Sequence, residues 1–96
     1  MLKSIIVKGK ISECYFADKE GNIYNKEGHK MTTFKSYGYL RVKLSRDIPR
    51  GMYLVHRIIA ENFLDNPQNL PIVLHLNDVR DDCRVENLKW GTNSKI

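Results

Sequence analysis

Residues 71–92 read PIVLHLNDVRDDCRVENLKWGT, and this stretch decides the fold. Pro71–Leu76 is a short apolar run, which predicts a buried β-strand. A polar loop follows, and Asn87–Trp90 forms a second short run. The segment therefore predicts two strands joined by a polar loop, with His75 near the end of the first and Asn87 at the start of the second.

A helix is predicted on the N-terminal side of this hairpin. From Val55 to Phe63 the inward positions recur at i, i+3, i+4, i+7 and i+8, and all but Asn62 are apolar. One stripe of this helix therefore faces a core. We expect the helix to run from Leu54 to Phe63 and to end before Asp65-Asn66-Pro67, because proline cannot continue a helix.

The strongest strand pattern lies further upstream, at Tyr39–Leu44. Its apolar and its aromatic or basic residues alternate, which assigns them to opposite faces: Leu40, Val42 and Leu44 against Tyr39, Arg41 and Lys43. The apolar face predicts core. The other face is either a DNA-facing surface, as in β-ribbon readers, or an ordinary solvated face of a half-buried sheet.

The N-terminal segment is also β-rich. Ser4–Val7 is a β-prone run that ends before Gly9, and Cys14–Ala17 and Asn22–Tyr24 flank a turn at Asp18–Gly21. Glycine at the end of that turn suits a hairpin, because it tolerates positive φ.

These elements predict an α+β fold, with an N-terminal antiparallel β-sheet, one helix and a C-terminal two-stranded unit. The length of 96 residues suits a single domain with one modest core. We therefore expect one domain over residues 1–96, with a β-rich basic region at 1–50 and the helix and hairpin at 54–96.

The net charge of +5 is unevenly distributed along the chain. Residues 1–50 hold 11 Lys and Arg against 5 Asp and Glu, whereas residues 51–96 hold 5 against 6. A basic chain of this kind is typical of nucleic-acid partners, although many basic proteins bind none. Any attraction to phosphate is therefore expected to reside in the N-terminal half.

Composition argues against several other classes of protein. Cys14 and Cys83 stand far apart, so they form neither a disulfide framework nor a four-ligand zinc site. No apolar run approaches the roughly 20 residues of a membrane span, and no signal-peptide core follows Met1. We expect a soluble, cytoplasmic protein with no membrane partner.

Three segments in register resemble the HNH endonucleases of phages and self-splicing introns. They are VHRIIAENF at 55–63, VLHL at 73–76 and RVENLKWGT at 84–92. The N-terminal strands are similar to the β-rich region of the intron-encoded nicking members. The resemblance implies a ββα-metal fold, in which two strands present a loop and a helix closes over it.

The resemblance also implies roles for individual residues. His75 matches the general base that deprotonates water for attack on a phosphodiester, and Asn87 matches the asparagine that holds this histidine in place. A divalent ion, typically Mg²⁺, would neutralise the scissile phosphate. Its ligands in the family are the residue before the histidine and a final asparagine.

Both ligand positions depart from the family pattern. Leu74 precedes the histidine, and an aliphatic side chain cannot coordinate a hard cation. Ile96 occupies the position of the final asparagine. Because Ile96 also ends the sequence, we expect the closing helix to be truncated and the metal site to be degenerate. No metal ligands and no cofactor are therefore predicted, with Mg²⁺ expected only if the chain is an active enzyme.

Other polar residues have a structural and a functional interpretation. His56 is interpreted as a structural residue of the helix, and Arg57 either contacts phosphate or pairs with Glu61 at i+4. The aspartates of the loop could substitute as metal ligands, but a turn rich in Asp is usually only solvated. The predicted nucleic-acid-binding surface is a basic and aromatic set: Lys35, Tyr37, Tyr39, Arg41, Lys43, Arg46, Arg50 and Arg57.

Three functions remain open from the sequence. The first is a phage HNH-family protein that binds DNA, or a nucleic-acid-binding protein, with impaired catalysis. The second is an active, metal-dependent DNA-nicking endonuclease. The third is a phage inhibitor of a host defence nuclease, acting in the cytoplasm of an infected bacterium. The identities of Leu74 and Ile96 favour the first over the second.

Overall fold

The computed structural model describes residues 2–7 and 9–92, and it confirms the α+β class. Within those residues, no helix is long and apolar enough to cross a membrane. The described part of the chain contains eight strands and one α-helix, in this order: β1 (Lys3–Val7), β2 (Lys10–Ala17), β3 (Ile23–Asn25), β4 (Thr33–Ser36), β5 (Tyr39–Leu44), β6 (Gly51–Leu54), α1 (Val55–Phe63), β7 (Ile72–His75) and β8 (Leu88–Gly91).

The first sheet has the antiparallel order β1-β2-β3 and contains the predicted hairpin turn. Asp18 stabilises this turn, because its carboxylate accepts hydrogen bonds from the backbone N–H groups of Glu20 and Asn22. The Tyr24 hydroxyl donates a further bond to Asp18 at 3.1 Å. The turn after β2 is therefore built from the local side-chain bonding that is typical of Asp.

The second sheet has the order β4-β5-β6 and supports the functional surface. Val42 and Leu44 in β5 are fully buried, as the alternation predicts, whereas Leu40 is half-buried. The register pairs Arg41 with Phe34 in β4 and with Leu54 in β6. Residues directly opposite one another share a face, so Arg41 lies among apolar neighbours rather than in open solvent.

Helix α1 follows β6 without a loop and covers the core. Val55, Ile58 and Ile59 are buried, as the helical spacing predicts. Asn62 completes the stripe as a polar connector: its side-chain oxygen accepts from the Ile6 N–H at 2.7 Å, where the pairing of β1 with β2 is irregular. The amide thus satisfies strand backbone that the sheet leaves unpaired.

Strands β7 and β8 form the predicted antiparallel hairpin. The prediction of a fully buried first strand is wrong, because Ile72, Val73 and His75 are half-buried and Leu74 is exposed. Only one face of this two-stranded ribbon packs inward, and it carries Val73, His75 and their partners in β8. The continuous apolar run in the sequence therefore did not show whether one or both faces of β7 are buried.

The loop between β7 and β8 is attached to the first sheet at Gly21. This residue has φ of 94°, and a Cβ there would stand 2.7 Å from the Cys83 carbonyl oxygen. Close by, the Val85 N–H donates to the Lys19 carbonyl at 2.8 Å. The hairpin turn of the first sheet thus holds the base of the loop that follows His75.

Candidate functional site

His75 lies at the end of β7, where its ring meets two aromatic side chains from other parts of the chain. The His56 ring, from the start of α1, stands edge-on at 4.9 Å between centroids. The Tyr39 ring, from the start of β5, lies 5.3 Å from His56 and 5.9 Å from His75. We call these three residues the histidine cluster.

Burial keeps both histidines of the cluster neutral. His56 is only 6% exposed, and burial is the main reason that its pKa falls from 6.5 to about 4. Burial also lowers the pKa of His75, with the nearby Asp82 acting in the opposite direction. Neutral imidazoles can accept a proton, so His75 has the protonation state that a general base requires.

The low pKa of His56 predicts an acid-sensitive stability. In the unfolded chain His56 takes up a proton near pH 6.5, whereas in the folded chain it does so only near pH 4. Its contribution is therefore complete above pH 6.5 and is lost as the pH falls towards 4. We expect His56→Phe to reduce the fall in Tm across this range. The exposed His29→Gln serves as the control, and equal Tm slopes in wild type and His56→Phe would refute the prediction.

Asn87 fixes the loop that follows His75. It is 5% exposed, and its side-chain oxygen accepts from the Asn77 N–H at 3.0 Å. Its side-chain nitrogen donates to the Asp82 carbonyl, also at 3.0 Å. The Leu76 N–H in turn donates to the Asn87 carbonyl at 2.8 Å. Asn87 therefore bonds across the loop that follows His75, while its role in holding the histidine in place stays a prediction.

Two of the three carboxylates of this loop, those of Asp81 and Asp82, are engaged in other interactions, whereas Asp78 is exposed and lines the cleft beside His75. Asp82 forms two hydrogen bonds with the Arg84 guanidinium, and these lower its pKa. Asp81 pairs with Lys35 at 3.0 Å. Across residues 2–7 and 9–92, no group of three or more His, Cys, Asp or Glu is placed to hold a metal ion.

The position before His75 also fails to fit a divalent ion. Leu74 is 40% exposed, and its side chain lies so close to Gly91 that a Cβ there would stand 2.6 Å from the Leu74 Cδ1. Mg²⁺ requires oxygen ligands in an octahedral arrangement, and Leu74 supplies none. Ile96 and the predicted closing helix lie outside the described residues. Among the described residues, the position before the histidine, which the family uses as a metal ligand, therefore supplies no oxygen atom.

Two of the predicted DNA-binding cations share the face of β5 that leads to the histidine cluster. Tyr39, Arg41 and Lys43 alternate along this face, and Lys43 is exposed. Arg41 is half-buried, and its Nε–H has no hydrogen-bond partner among the described residues. Successive side chains on one face of a strand stand about 6.8 Å apart, so the two cations form a short row ending at Tyr39. We call this row the β5 track.

Lys35 and Tyr39 do not form an open surface with Arg41 and Lys43. The register pairs Lys35 with Leu40, so Lys35 lies on the opposite face of the sheet from Arg41, and the expectation of one shared face is wrong for it. Tyr39 faces the histidines rather than open solvent. Phe34, one residue before Lys35, is the partner of Arg41. Because side chains alternate between the two faces of a sheet, Lys35 points to the face opposite Arg41.

Three of the predicted cations already have acidic partners. Lys35 pairs with Asp81, Arg46 with Glu27 at 2.9 Å, and Arg57 with Glu61 at 3.4 Å. The i+4 pairing of Arg57 was the structural alternative considered from the sequence, and its guanidinium also donates to the Pro71 carbonyl. Arg50 and Tyr37 are exposed.

Arg80 is a residue that the sequence did not single out. Its guanidinium lies 5.1 Å from the centre of the Tyr39 ring and donates to the Tyr37 carbonyl at 3.2 Å. An open cleft of about 420 Å³ lies between Arg80, Tyr39 and His75. No local pattern could have revealed Arg80, because its partners are some 40 residues away in the chain.

A β-hairpin with a histidine at the end of its first strand and a buried asparagine before its second defines a nuclease-type HNH module. Residues 53–95 match the HNH_3 model of the HNH endonuclease family. The chain belongs to the HNH endonuclease family.

Two curated relatives come from Acanthamoeba polyphaga mimivirus, and both are described as uncharacterized HNH endonucleases. L245 is 30% identical over 80 residues, which is 81% of this chain. L247 is 34% identical over 97 aligned residues, which is 97% of this chain. The chain spans only 24% of the length of each.

A solved structure is similar over most of this chain. It is the HNH homing endonuclease I-HmuI, in a study of DNA binding and cleavage by that enzyme. The TM-score is 0.77 at 26% sequence identity, and the match covers 96% of this chain and 52% of the other.

Proposed function

We propose that this chain is a DNA-binding HNH module whose histidine site does not support metal-dependent cleavage. The observation that carries the proposal is the β5 track, in which Arg41 and Lys43 lead along one strand to the histidine cluster. The match with I-HmuI covers 96% of this chain, and I-HmuI binds and cleaves DNA. Binding to DNA is therefore the activity to which Arg41 and Lys43 can contribute.

The charge distribution around the β5 track supports an anionic partner. No Asp or Glu occurs between Glu27 and Asp47, a segment that contains both β4 and β5. Arg41 and Lys43 also have no ion-pair partner among the described residues. Unpaired cations on a strand can therefore bind phosphate oxygens, which position a protein on DNA without reading its sequence.

The environment of His75 explains why we do not propose cleavage. A neutral imidazole can take a proton from water, but the phosphodiester also requires neutralisation of its developing charge. Leu74 provides no ligand for a cation that would do this, and two of the three loop carboxylates, those of Asp82 and Asp81, are bonded to Arg84 and Lys35. Among the described residues, His75 thus supplies a proton acceptor, whereas the position before it supplies no ligand for the cation.

DNA binding is tested with a fluorescein-labelled duplex of about 20 base pairs, by fluorescence anisotropy across a range of salt concentrations. We expect the logarithm of the association constant to fall linearly with the logarithm of salt concentration. About 0.9 of slope corresponds to each phosphate contacted, so a slope near 2 or steeper is expected. Absence of salt-dependent binding would refute the proposed function.

Cleavage is tested separately with supercoiled plasmid and Mg²⁺ or Mn²⁺. We expect no nicking above the background of a His75→Ala variant, because the Leu74 position lacks an oxygen ligand. Nicking that His75→Ala abolishes would instead establish the second candidate, a DNA-nicking endonuclease. The neutral imidazole of His75 and the bonding of Asn87 across its loop are the observations that favour that candidate.

A further inference from the structure

The turn between β4 and β5 contains an unusual residue for its backbone conformation. The connection consists of Tyr37 and Gly38, with φ values of 53° and 84°. Two-residue hairpin turns with positive φ at both positions favour Asn-Gly or Asp-Gly. A bulky side chain at positive φ is an outlier, and such residues cluster at functional sites. Tyr37 is therefore retained in a conformation that asparagine would adopt more easily.

The Tyr37 side chain does not compensate for this strain by packing. It is 87% exposed, which makes it the most exposed large apolar side chain in the described part of the protein. A ring in this position contributes almost nothing to the hydrophobic core. The stability of the fold thus does not explain the choice of tyrosine at the tip.

The backbone of the tip is bonded to Arg80, which lines the cleft beside His75. The Arg80 guanidinium donates to the Tyr37 carbonyl at 3.2 Å, and the Arg80 side chain passes 3.2 Å from where a Cβ on Gly38 would stand. Lys35, next to the turn, pairs with Asp81 of the same loop at 3.0 Å. These contacts attach the turn that carries Tyr37 to the loop whose Arg80 lines the cleft beside His75.

We propose that Tyr37 is a base-stacking residue, whose ring packs against an unstacked nucleobase of the bound DNA. This proposal rests on the proposed function, because the β5 track must first hold the DNA backbone. The surroundings of the tip favour a nucleobase as the partner of the Tyr37 ring. The tip lies in a segment without acidic residues, and every nucleobase offers a π-face to an aromatic ring.

The test compares two fluorescein-labelled duplexes, one fully paired and one with a single bulged 2-aminopurine. We expect wild type to bind the bulged duplex about ten-fold more tightly than the paired one, and to change the 2-aminopurine fluorescence. Tyr37→Asn should lose the preference and bind both duplexes with similar affinity. Tyr37→Phe keeps the ring and should behave as wild type.

The Tm of Tyr37→Asn, measured by thermal unfolding, separates a loss of base stacking from a loss of the folded state. Because asparagine tolerates positive φ, we expect Tyr37→Asn to raise Tm by about 4–8 °C while the preference for the bulge is lost. If Tyr37→Asn keeps the wild-type preference, or unfolds, the stacking role is overturned. If wild type binds the paired duplex with salt dependence but has no preference for the bulge, this inference fails and the proposed function stands. If wild type binds neither duplex, both fail.

Discussion

We expect the double variant Arg41→Gln, Lys43→Gln to bind duplex DNA roughly 10- to 100-fold more weakly than wild type. A hydrogen bond at a solvated surface contributes a net of about 0.5–1.5 kcal/mol, so the loss of two phosphate contacts on one face of β5 costs about 1–3 kcal/mol. The salt slope should also fall by about 1.8, because two phosphates are no longer neutralised. Anisotropy titrations at several salt concentrations measure both quantities.

Glutamine is chosen because Arg41 is half-buried and its stem packs near Phe34 and Leu54. The side-chain volume is thus largely kept while the charge is removed. The matched control is Lys26→Gln, Lys30→Gln, which makes the same change in net charge at exposed residues near β3. Equal losses of affinity in the two double variants would mean that only net charge matters, and the β5 track would be rejected.

We expect Asn87→Ala to destabilise the fold by about 1–3 kcal/mol. The substitution removes the part-buried hydrogen bonds to the Asn77 N–H and the Asp82 carbonyl, and each such bond contributes a net of about 0.5–1.5 kcal/mol. Tm should fall by at least about 4 °C for a domain of this size. Urea unfolding followed by circular dichroism measures the free energy directly.

The control for this prediction is Gln68→Ala, which also removes an amide but from an exposed position. Exposed substitutions usually change stability by less than about 0.5 kcal/mol. Asn87 bonds across the loop and is not part of the proposed DNA-binding surface. We therefore expect Asn87→Ala to bind DNA like wild type at a low temperature, where the variant is still folded. An Asn87→Ala protein as stable as the control would show that the loop is held by other contacts.

The secondary structure was largely predictable because its determinants are local. The spacing of Val55, Ile58 and Ile59 predicted α1, and the alternation in Tyr39–Leu44 predicted β5 with its bounds. The motif around His75 and Asn87 predicted the final hairpin. The exception was the burial of β7, because an apolar run indicates low polarity but not how many faces are covered.

The candidate site was predictable only in its parts. The sequence by itself determined that His75 lacks a carboxylate neighbour at Leu74, because ligand chemistry depends on residue type alone. It could not show that His75 meets His56 and Tyr39, whose positions in the chain are remote from it. Packing of α1 against two different sheets creates that contact.

The surface charge was likewise decided by tertiary structure. The sequence determined which half of the chain is basic, but pairing across strands placed Lys35 opposite Leu40 and away from Arg41. Ion pairs with distant acids then occupied Lys35 and Arg46 and left Lys43 free among the described residues. Sequence periodicity reports only on neighbours along the chain. The partners of Lys35 and Arg46 are instead set by strand register and loop packing, which bring together residues that are far apart in the sequence.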